Sequence, residues 1–258
     1  MSEGIVYISK IEAVSMADEW FEIATEDHFW MKWRFNCLMK YKHLFKENSE
    51  FKVLEIGCGN GVVMNQFRFE TGIPIDGCDL NEGALKLVNQ GESNLFLYNI
   101  YDTNKELINK YDAIFLFDVI EHIDNDSDFV AKALEHGKDG GLLFINVPAL
   151  KALFSKYDVQ AGHIRRYNKR NIEDLLNKLD LEIIDVQYWG LSLIPIAILR
   201  KIYLIFVPAK KIIDNGFKPP SRFINELLIL LMKIELRLIR NNKFLGTSLM
   251  AVARKKGN

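Results

Sequence analysis

A glycine-rich turn between a short apolar segment and a helical run constrains this 258-residue chain more than any other feature. Gly57, Gly59 and Gly61 stand at alternate positions after the apolar segment 51–56, and the helical run begins at Val62. Glycine allows positive φ and lets a ligand contact the backbone directly. Free N–H groups at the start of a helix attract an anionic group. This stretch therefore predicts a strand, turn and helix that bind a nucleotide-like ligand.

The spacing of these glycines indicates the class of ligand. A dinucleotide fingerprint requires Gly-x-Gly-x-x-Gly, but Val62 occupies its last position. The sequence instead reads Glu55-x-Gly-x-Gly-x-Gly61, which resembles the class I S-adenosylmethionine (SAM) methyltransferases. The resemblance implies SAM as the cofactor. Two alternatives belong to other classes, a nicotinamide-dependent oxidoreductase and a non-catalytic SAM-binding protein.

Six further apolar segments predict the remaining strands of a sheet. They are 73–79, 94–99, 112–117, 142–147, 182–188 and 247–253. Together with the first strand they fit a Rossmann-like α/β fold of the methyltransferase type, with seven strands, mostly parallel, and an antiparallel edge. The expected regions are an N-terminal helical lid (1–50), a SAM-binding domain (51–190 and 246–258) and an amphipathic helical insertion before the last strand (191–245).

Polar residues after successive strands are candidates for contacts to the cofactor. Asp79, twenty residues after Gly59, is placed to accept hydrogen bonds from ribose hydroxyl groups. Asn99 falls where related enzymes usually have an aspartate for the adenine amino group, and its amide oxygen can accept the same bond. Arg34, on an aromatic-rich helix, is expected to pair with the carboxylate of the cofactor. The complete expected set is Arg34, Glu55, Gly57, Gly59, Gly61, Asp79, Leu80, Asn99, Ile100 and Asp118.

Three later motifs extend the resemblance over residues 30–253. They are DVIEH (118–122), NVPA (146–149) and GHIRRY (162–167). The combination resembles bacterial methyltransferases of the ubiquinone-biosynthesis type and their relatives. This implies O-methylation of a hydroxyl group, whereas N- or C-methylation of a small molecule is the alternative. Since such enzymes methylate many acceptors, a small molecule, a sugar-linked molecule and a lipid-linked molecule all fit.

A hydroxyl acceptor must lose its proton, either to a base or to a metal that lowers its pKa. Asp118, Glu121 and His122 follow an i, i+3, i+4 pattern, and His163 is expected near the same cleft. Two carboxylates and two histidines suit a divalent metal, and the set resembles the metal site of small-RNA 2′-O-methyltransferases and ubiquinone O-methyltransferases. In the alternative interpretation, Asp118 contacts the cofactor, Glu121 caps a turn, and His122 or His163 is a metal-free base.

Two interpretations, one functional and one structural, are also open for the residues after His163. Arg165, Arg166 and Tyr167 could hold an anionic acceptor, because guanidinium groups bind carboxylate and phosphate in a bidentate manner. They could equally tie the loop down through carbonyl or carboxylate groups. The expected catalytic residues are Glu121, His122, His163, Arg166 and Tyr167.

The insertion contains two apolar segments, 191–207 and 223–239, each interrupted by charged residues. Neither suits a transmembrane span, and both predict amphipathic helices. Residues 191–258 have a net charge of +10, against −1 for the whole chain. A basic amphipathic helix fits a membrane interface, so we expect peripheral contact with the inner face of the membrane. The residues expected at anionic headgroups are Arg200, Lys201, Lys210 and Lys211. Alternatively, the helices cover each other, roof the substrate pocket or form a homodimer interface.

Cysteine usage and motif content bound the compartment and the partners. Three cysteines without Cys-x-x-Cys spacing are typical of a reduced, cytoplasmic protein. Basic and base-stacking motifs of known RNA-binding modules are absent from the sequence, so a nucleic-acid partner is not expected.

Overall fold

The computed structural model describes residues 4–10, 24–45, 50–89, 91, 93–208, 212, 220–239 and 241–257. Within these ranges, one eight-stranded sheet is flanked by helices. The strands are β1 (Ile5–Tyr7), β2 (Val53–Ile56), β3 (Ile75–Asp79), β4 (Leu95–Leu97), β5 (Tyr111–Phe117), β6 (Gly137–Pro148), β7 (Glu182–Trp189) and β8 (Ser248–Arg254). The α-helices are α1 (Phe29–Met39), α2 (Val62–Thr71), α3 (Glu82–Leu85), α4 (Asp126–His136), α5 (Lys156–Gln160), α6 (Lys169–Lys178), α7 (Ile194–Ile205) and α8 (Arg222–Leu238). Short 3₁₀ helices span Lys42–Leu44, Ile100–Asp102, Ile120–His122, Lys151–Leu153 and Leu191–Leu193.

The strand order across the sheet is β1-β4-β3-β2-β5-β6-β8-β7. Neighbouring strands from β1 to β6 are parallel, whereas β8 runs antiparallel to both β6 and β7. The expected Rossmann-like α/β sheet with an antiparallel edge is confirmed. The strand count is eight rather than seven because β1, in a segment expected to be helical, pairs with β4. Three residues are too few for strand periodicity to be visible in the sequence.

Both faces of the sheet are buried, as the continuous apolar runs predicted. Successive side chains of a strand point to opposite faces, and β5 shows the result clearly. Ile114 and Leu116 belong to one apolar cluster, whereas Ala113 and Phe115 belong to the other. Helices α4 and α6 contribute side chains to the first cluster, and α1, α2 and α8 contribute to the second.

The glycine turn needs its glycines for two separate reasons. Gly57, Gly59 and Gly61 have φ values of +77°, +54° and +75°, which side chains with a Cβ adopt only with strain. A Cβ on Gly57 would lie 2.5 Å from a methyl group of Val119, and one on Gly61 would lie 2.6 Å from a methyl group of Val88. The turn therefore keeps its shape by close packing as well as by backbone conformation.

The two helices of the insertion pack on different parts of the domain. Leu204 of α7 packs against Tyr157 of α5, and α8 packs against α1. Glu235 of α8 anchors the start of the insertion, because its buried carboxylate accepts backbone hydrogen bonds from residues 190, 191 and 192 at 2.8–2.9 Å. Most of the link between α7 and α8, residues 209–211 and 213–219, lies outside the described residues. Among the residues described, no helix has the length and apolar character needed to cross a membrane.

Candidate active site

A cavity of about 580 Å³ lies at the carboxyl ends of the central strands, where open α/β sheets bind their ligands. Its walls include the ends of β2, β3 and β5, and side chains of α1, α7 and α8. The predicted site residues that line it are Arg34, Glu55, Gly57, Gly59, Asp79, Leu80, Asn99, Ile100, Asp118, Glu121, His122, His163 and Arg166. Gly61 and Tyr167 do not line it. Gly61 instead starts α2 in the left-handed conformation.

Asp79 and Asn99 lie in the cavity wall with part of their hydrogen-bonding capacity already used. The Asp79 carboxylate accepts the Gly59 N–H and the Asn81 N–H, each at 2.8 Å, so it also fixes the glycine turn. The Asn99 amide oxygen accepts the Tyr101 N–H at 3.1 Å. Carboxylate and amide oxygens can each accept a second bond. The ribose and adenine contacts predicted for these two residues thus stay predictions that the geometry permits.

Arg34 and Asp118 form a buried ion pair across the cavity wall. Arg34 Nη1 donates to Asp118 Oδ2 at 2.6 Å, and Asn146 Nδ2 donates to Asp118 Oδ1 at 2.9 Å. Asp118 has φ of +59°, a strained conformation that is uncommon outside glycine. Burial raises the pKa of Asp118, and the Arg34 charge opposes that shift. In this arrangement both oxygens of Asp118 have protein partners.

Glu55 is the other buried carboxyl on this side of the cavity. Burial raises its pKa to about 8, although the Arg34 charge acts in the opposite direction. Its Oε2 atom has no hydrogen-bond partner among the described residues. At neutral pH this carboxyl is therefore mostly protonated.

Glu121, His122 and His163 form a second group of polar side chains in the cavity wall. One ligand atom from each lies within 4.8 Å of the others. His122 Nδ1 is 3.2 Å from the Gly162 carbonyl oxygen, which can only accept, so the hydrogen is on Nδ1 and the lone pair is on Nε2. Burial lowers the pKa of His122 to about 4, with a smaller effect from His163. His122 is therefore neutral at pH 7.

His163 is oriented by a carboxylate that sequence reasoning did not single out. Its Nδ1 donates to Asp158 Oδ1 at 3.1 Å, and its Nε2 lies 3.9 Å from Glu121 Oε1. Burial alone would raise the pKa of Asp158, but the His163 hydrogen bond and the Arg166 charge outweigh it and hold the pKa below its ordinary range. Asp158 is thus an anion at neutral pH. The sequence signal that could have pointed to Asp158 is its position, five residues before His163 and three residues after Ser155, which caps a helix.

The donor set around Glu121 fits a divalent cation, with one carboxylate and two imidazoles. Three buried atoms of this group have no hydrogen-bond partner among the described residues: both carboxyl oxygens of Glu121 and the Nε2 atom of His122. Burial raises the pKa of Glu121 well above its usual range, and the Asp118 charge adds to this. Asp118, the expected fourth ligand, does not join the group, because Arg34 and Asn146 hold its carboxylate.

The GHIRRY motif mostly holds its own loop in place. Arg165 donates to the Asp126 carboxylate and to a backbone carbonyl. The Tyr167 hydroxyl lies 2.7 Å from the same carboxylate and 3.1 Å from the Ile120 carbonyl oxygen. Tyr167 is therefore a buried tie between two segments, and the expectation that it is catalytic is not met by its position. Arg166 lines the cavity, but its Nε and Nη1 donate to Asp158 and to the Ala149 carbonyl oxygen.

Residues 30–186 match the family model described as a methyltransferase domain. The chain belongs to this methyltransferase family. The ubiquinone biosynthesis O-methyltransferase of Rickettsia bellii is 25% identical over 140 residues, which are 52% of this methyltransferase and 58% of the relative. The (S)-coclaurine N-methyltransferase of Papaver somniferum is 32% identical over 127 residues, or 45% of this chain and 36% of that protein. The chain thus spans little more than half the length of the first curated relative.

Solved structures agree on the fold. Phosphoethanolamine N-methyltransferase 2 of Haemonchus contortus, in complex with S-adenosyl-L-methionine, superposes with a TM-score of 0.55 at 20% sequence identity. The match covers 86% of this methyltransferase and 52% of that chain. The class I methyltransferase fold expected from the glycine motif is therefore confirmed.

Proposed function

We propose that this methyltransferase transfers the methyl group of SAM to a hydroxyl oxygen of a small, sugar-linked or lipid-linked acceptor. The observation that supports this most directly is the cavity itself, because one space connects the glycine turn with the Glu121, His122 and His163 cluster. The SAM sulfonium already makes the methyl group electrophilic. The protein then has to align the acceptor oxygen with the methyl carbon and exclude water.

In this proposal the glycine-turn side of the cavity binds SAM. Asp79 accepts the ribose hydroxyl groups, and Asn99 with Ile100 binds the adenine. Arg34 and Glu55, which also line the cavity, contact the methionyl part of the cofactor. The SAM complex of the Haemonchus contortus protein supports the choice of cofactor. Residues 51–190 and 246–258 would form the SAM-binding domain, residues 1–50 a lid and residues 191–245 a roof over the acceptor.

His163 is the proposed general base. The ionised Asp158 holds its Nδ1–H, so the Nε2 lone pair faces the cavity and can accept the hydroxyl proton as the carbon–oxygen bond forms. Neutral His122 offers a second lone pair beside it. An amine that is already neutral presents its own lone pair and needs no such base, whereas a hydroxyl group does, so this cluster favours O-methylation over the N-methylation named for the Papaver somniferum relative.

A divalent cation is an alternative to a metal-free base. Glu121, His122 and His163 would hold it, and a bound cation would lower the pKa of the acceptor hydroxyl. Addition of EDTA separates the two versions. Retained activity supports His163 as the base, whereas activity lost with EDTA and restored by Mg²⁺ or Mn²⁺ supports the metal.

The outer surface of the insertion supports two further parts of the proposal. These are peripheral contact with the inner face of the membrane and a hydrophobic acceptor. Exposed apolar side chains cover the outer faces of both helices: Ile198, Leu199, Ile202, Ile205, Phe206, Phe223, Leu227, Leu230, Ile234 and Leu238. Ile196 and Ile224 are exposed and also line the cavity, so this surface adjoins the cavity mouth. A homodimer interface is the alternative for the same surface.

Two cations expected at lipid headgroups have other roles. Arg200 lines the cavity. Lys201 donates to the Ala152 carbonyl oxygen at 2.7 Å. The other two cations, Lys210 and Lys211, lie outside the described residues. Apolar insertion would therefore contribute more to membrane contact than the first two of these charges.

Two measurements test the proposed function. In calorimetry SAM should bind and NAD should not; NAD binding without SAM binding would contradict the proposal. Replacement of His163 by Ala should lower methyl transfer to a panel of phenolic, sugar and lipid alcohols by roughly 10²–10⁴-fold, with SAM affinity unchanged. Formation of S-adenosylhomocysteine (SAH) is the readout. His43, exposed on the 3₁₀ helix Lys42–Leu44, provides the control, because His43→Ala should leave the rate unchanged.

A further inference from the structure

We infer that Arg200 binds a carboxylate or phosphate group of the methyl acceptor, and that this methyltransferase therefore selects anionic acceptors. The inference rests on the proposed function, since it concerns the acceptor side of the same cavity. Arg200 belongs to α7 of the insertion, and neither the glycine motif nor the resemblance to known families pointed to it.

The position of Arg200 is defined by the cavity and by an aromatic ring. Its side chain lines the cavity, and the guanidinium carbon lies 4.9 Å from the centre of the Tyr157 ring. A cation near an aromatic face is attracted by the electrons of the ring, and Tyr157 itself lines the cavity. The Tyr157 ring thus helps to hold Arg200 at the wall of the space that a ligand would occupy.

Arg200 lies one aromatic ring away from the proposed base. The Tyr157 and His163 rings have centres 6.4 Å apart and meet nearly edge to face. An anionic group bound at Arg200 would therefore belong to the same acceptor molecule whose hydroxyl group faces His163. Arg200 has other neighbours than Arg34, the candidate for the cofactor carboxylate, which is paired with Asp118.

The local charges favour an anion at this place. Asp158 is the acidic neighbour, and its oxygens already accept bonds from His163, from Arg166 and from Ser155. The guanidinium groups of Arg166 and Arg200 therefore both lie near the single carboxylate of Asp158. Burial lowers the pKa of Arg200 and the nearby Arg166 charge acts in the same direction, whereas Tyr157 and Asp158 oppose them. A ligand carboxylate or phosphate would add a further negative charge that stabilises the guanidinium, and it would accept two parallel N–H bonds from the planar group.

Binding of small anions to the SAH-loaded protein tests the inference. The probes are benzoate, phenyl phosphate and inorganic phosphate, with benzyl alcohol as the neutral counterpart, measured by calorimetry. Benzoate and phenyl phosphate should bind to the wild type and at least about tenfold more weakly to Arg200→Gln. Arg200→Lys should fall between the two, because it keeps the charge and loses the planar fork. If inorganic phosphate binds as tightly as phenyl phosphate, the site takes a free anion rather than an anionic acceptor, and the inference fails.

Lys201→Gln is the matched control, because it removes one positive charge from the same helix at a residue that does not line the cavity. It should leave anion binding unchanged. Equal weakening in both variants, unchanged binding in Arg200→Gln, or no binding of any anion to the wild type would each overturn the inference. Failure of the proposed function would be seen separately, as absence of SAH binding. The anion titrations can be repeated without SAH, so the two failures are distinguishable.

Discussion

At the scale of single residues, Asp158 links the proposed chemistry to the shape of its loop. The buried carboxylate accepts bonds from His163 Nδ1 and Arg166 Nε on one oxygen, and from the Ser155 backbone and hydroxyl on the other. The same interactions that hold the loop also select the tautomer of His163. A base positioned in this way needs no reorganisation when the acceptor arrives, which is the condition for efficient proton transfer.

Asp79 provides the first residue-scale prediction. Asp79→Ala should weaken SAM binding by about 1.5–3 kcal/mol, the range for hydrogen bonds to a charged group, or roughly 10- to 150-fold in Kd. Gly59→Val should abolish binding, because a side chain at φ of +54° is strained and occupies cavity space. Calorimetry with SAM provides the readout. Asp139→Ala, at an exposed position near the start of β6 that does not line the cavity, is the control. Equal affinity in all three variants would place the cofactor elsewhere.

Glu55 gives a pH-dependent prediction. Its pKa of about 8 exceeds the usual glutamate value, so the carboxyl is mostly protonated at pH 7. The cationic amino and sulfonium groups of SAM would lower that pKa, so binding should release up to about one proton. Calorimetry at pH 7 in phosphate and in Tris should therefore give different heats, because the two buffers have different ionisation enthalpies.

Glu55→Gln is the control for this proton release and adds a stability test. The variant should give equal heats in both buffers. Since the folded wild type binds more protons at Glu55 than the unfolded chain does, its stability should fall as pH rises from about 4.5 to 8. Glu55→Gln cannot titrate, so its melting temperature should rise relative to the wild type over that interval. Buffer-dependent heat that persists in Glu55→Gln would assign the proton to another group.

At the scale of elements, local patterns predicted the strands and the glycine turn, because both depend on short-range rules. Apolar periodicity placed β2, β3 and β5 within a few residues, and glycine spacing placed the turn. The site was harder to predict, since side-chain direction there departs from regular geometry. Asp118 precedes a 3₁₀ helix in a left-handed conformation, so the helical i, i+3 relation to Glu121 expected from the sequence does not apply.

Arg200 shows a second limit on sequence reasoning. An arginine within an apolar run suggests the polar edge of a helix, but the run does not say which partner each face meets. The contact of α7 with α5 turns Arg200 into the cavity and leaves Leu199 on the outside. A long-range contact therefore decides whether this cation faces a lipid surface or a substrate.

Glu235 provides a prediction about how helices α7 and α8 are held together. Its carboxylate accepts three backbone N–H groups and the Ser192 hydroxyl. Glu235→Gln should lower the free energy of unfolding by about 1.5–3 kcal/mol, because it removes charge-assisted bonds to buried donors. Amide hydrogen exchange in α7 should accelerate, since its anchor to α8 is weakened. Glu226→Gln, exposed on the same helix, should change stability by less than about 0.5 kcal/mol.

The result for Glu235 discriminates between two views of the insertion. If both variants behave alike, the insertion is held by apolar packing of Leu228 and Met232 alone. If only Glu235→Gln loosens α7, a single carboxylate couples the two helices of the insertion, both of which line the cavity.

At the scale of the whole molecule, exposed large apolar side chains concentrate in the insertion. Leu199, Phe206, Phe223 and Leu238 are exposed by 66%, 81%, 79% and 77%, and all belong to α7, α8 or the residue after α7. Contiguous apolar surface of this kind typically marks an interaction site. Its adjacency to Ile196 and Ile224 at the cavity mouth means that an acceptor with an apolar tail could enter the cavity from a membrane surface.

Vesicle co-sedimentation tests this membrane interpretation. The protein should bind anionic phosphatidylglycerol vesicles more strongly than neutral phosphatidylcholine vesicles, because residues 191–258 have a net charge of +10. Replacing Leu199, Phe206 and Phe223 together by serine should lower the partition coefficient by at least about 100-fold, since burying each such side chain contributes about 1.5–3 kcal/mol. Phe69→Ser is the matched control, because Phe69 is 92% exposed on α2, outside the insertion. A triple variant that sediments like the wild type would exclude this face as the membrane contact. If the wild type instead stays in solution and forms a dimer that the triple variant loses, the same apolar face is an interface between two copies of the chain.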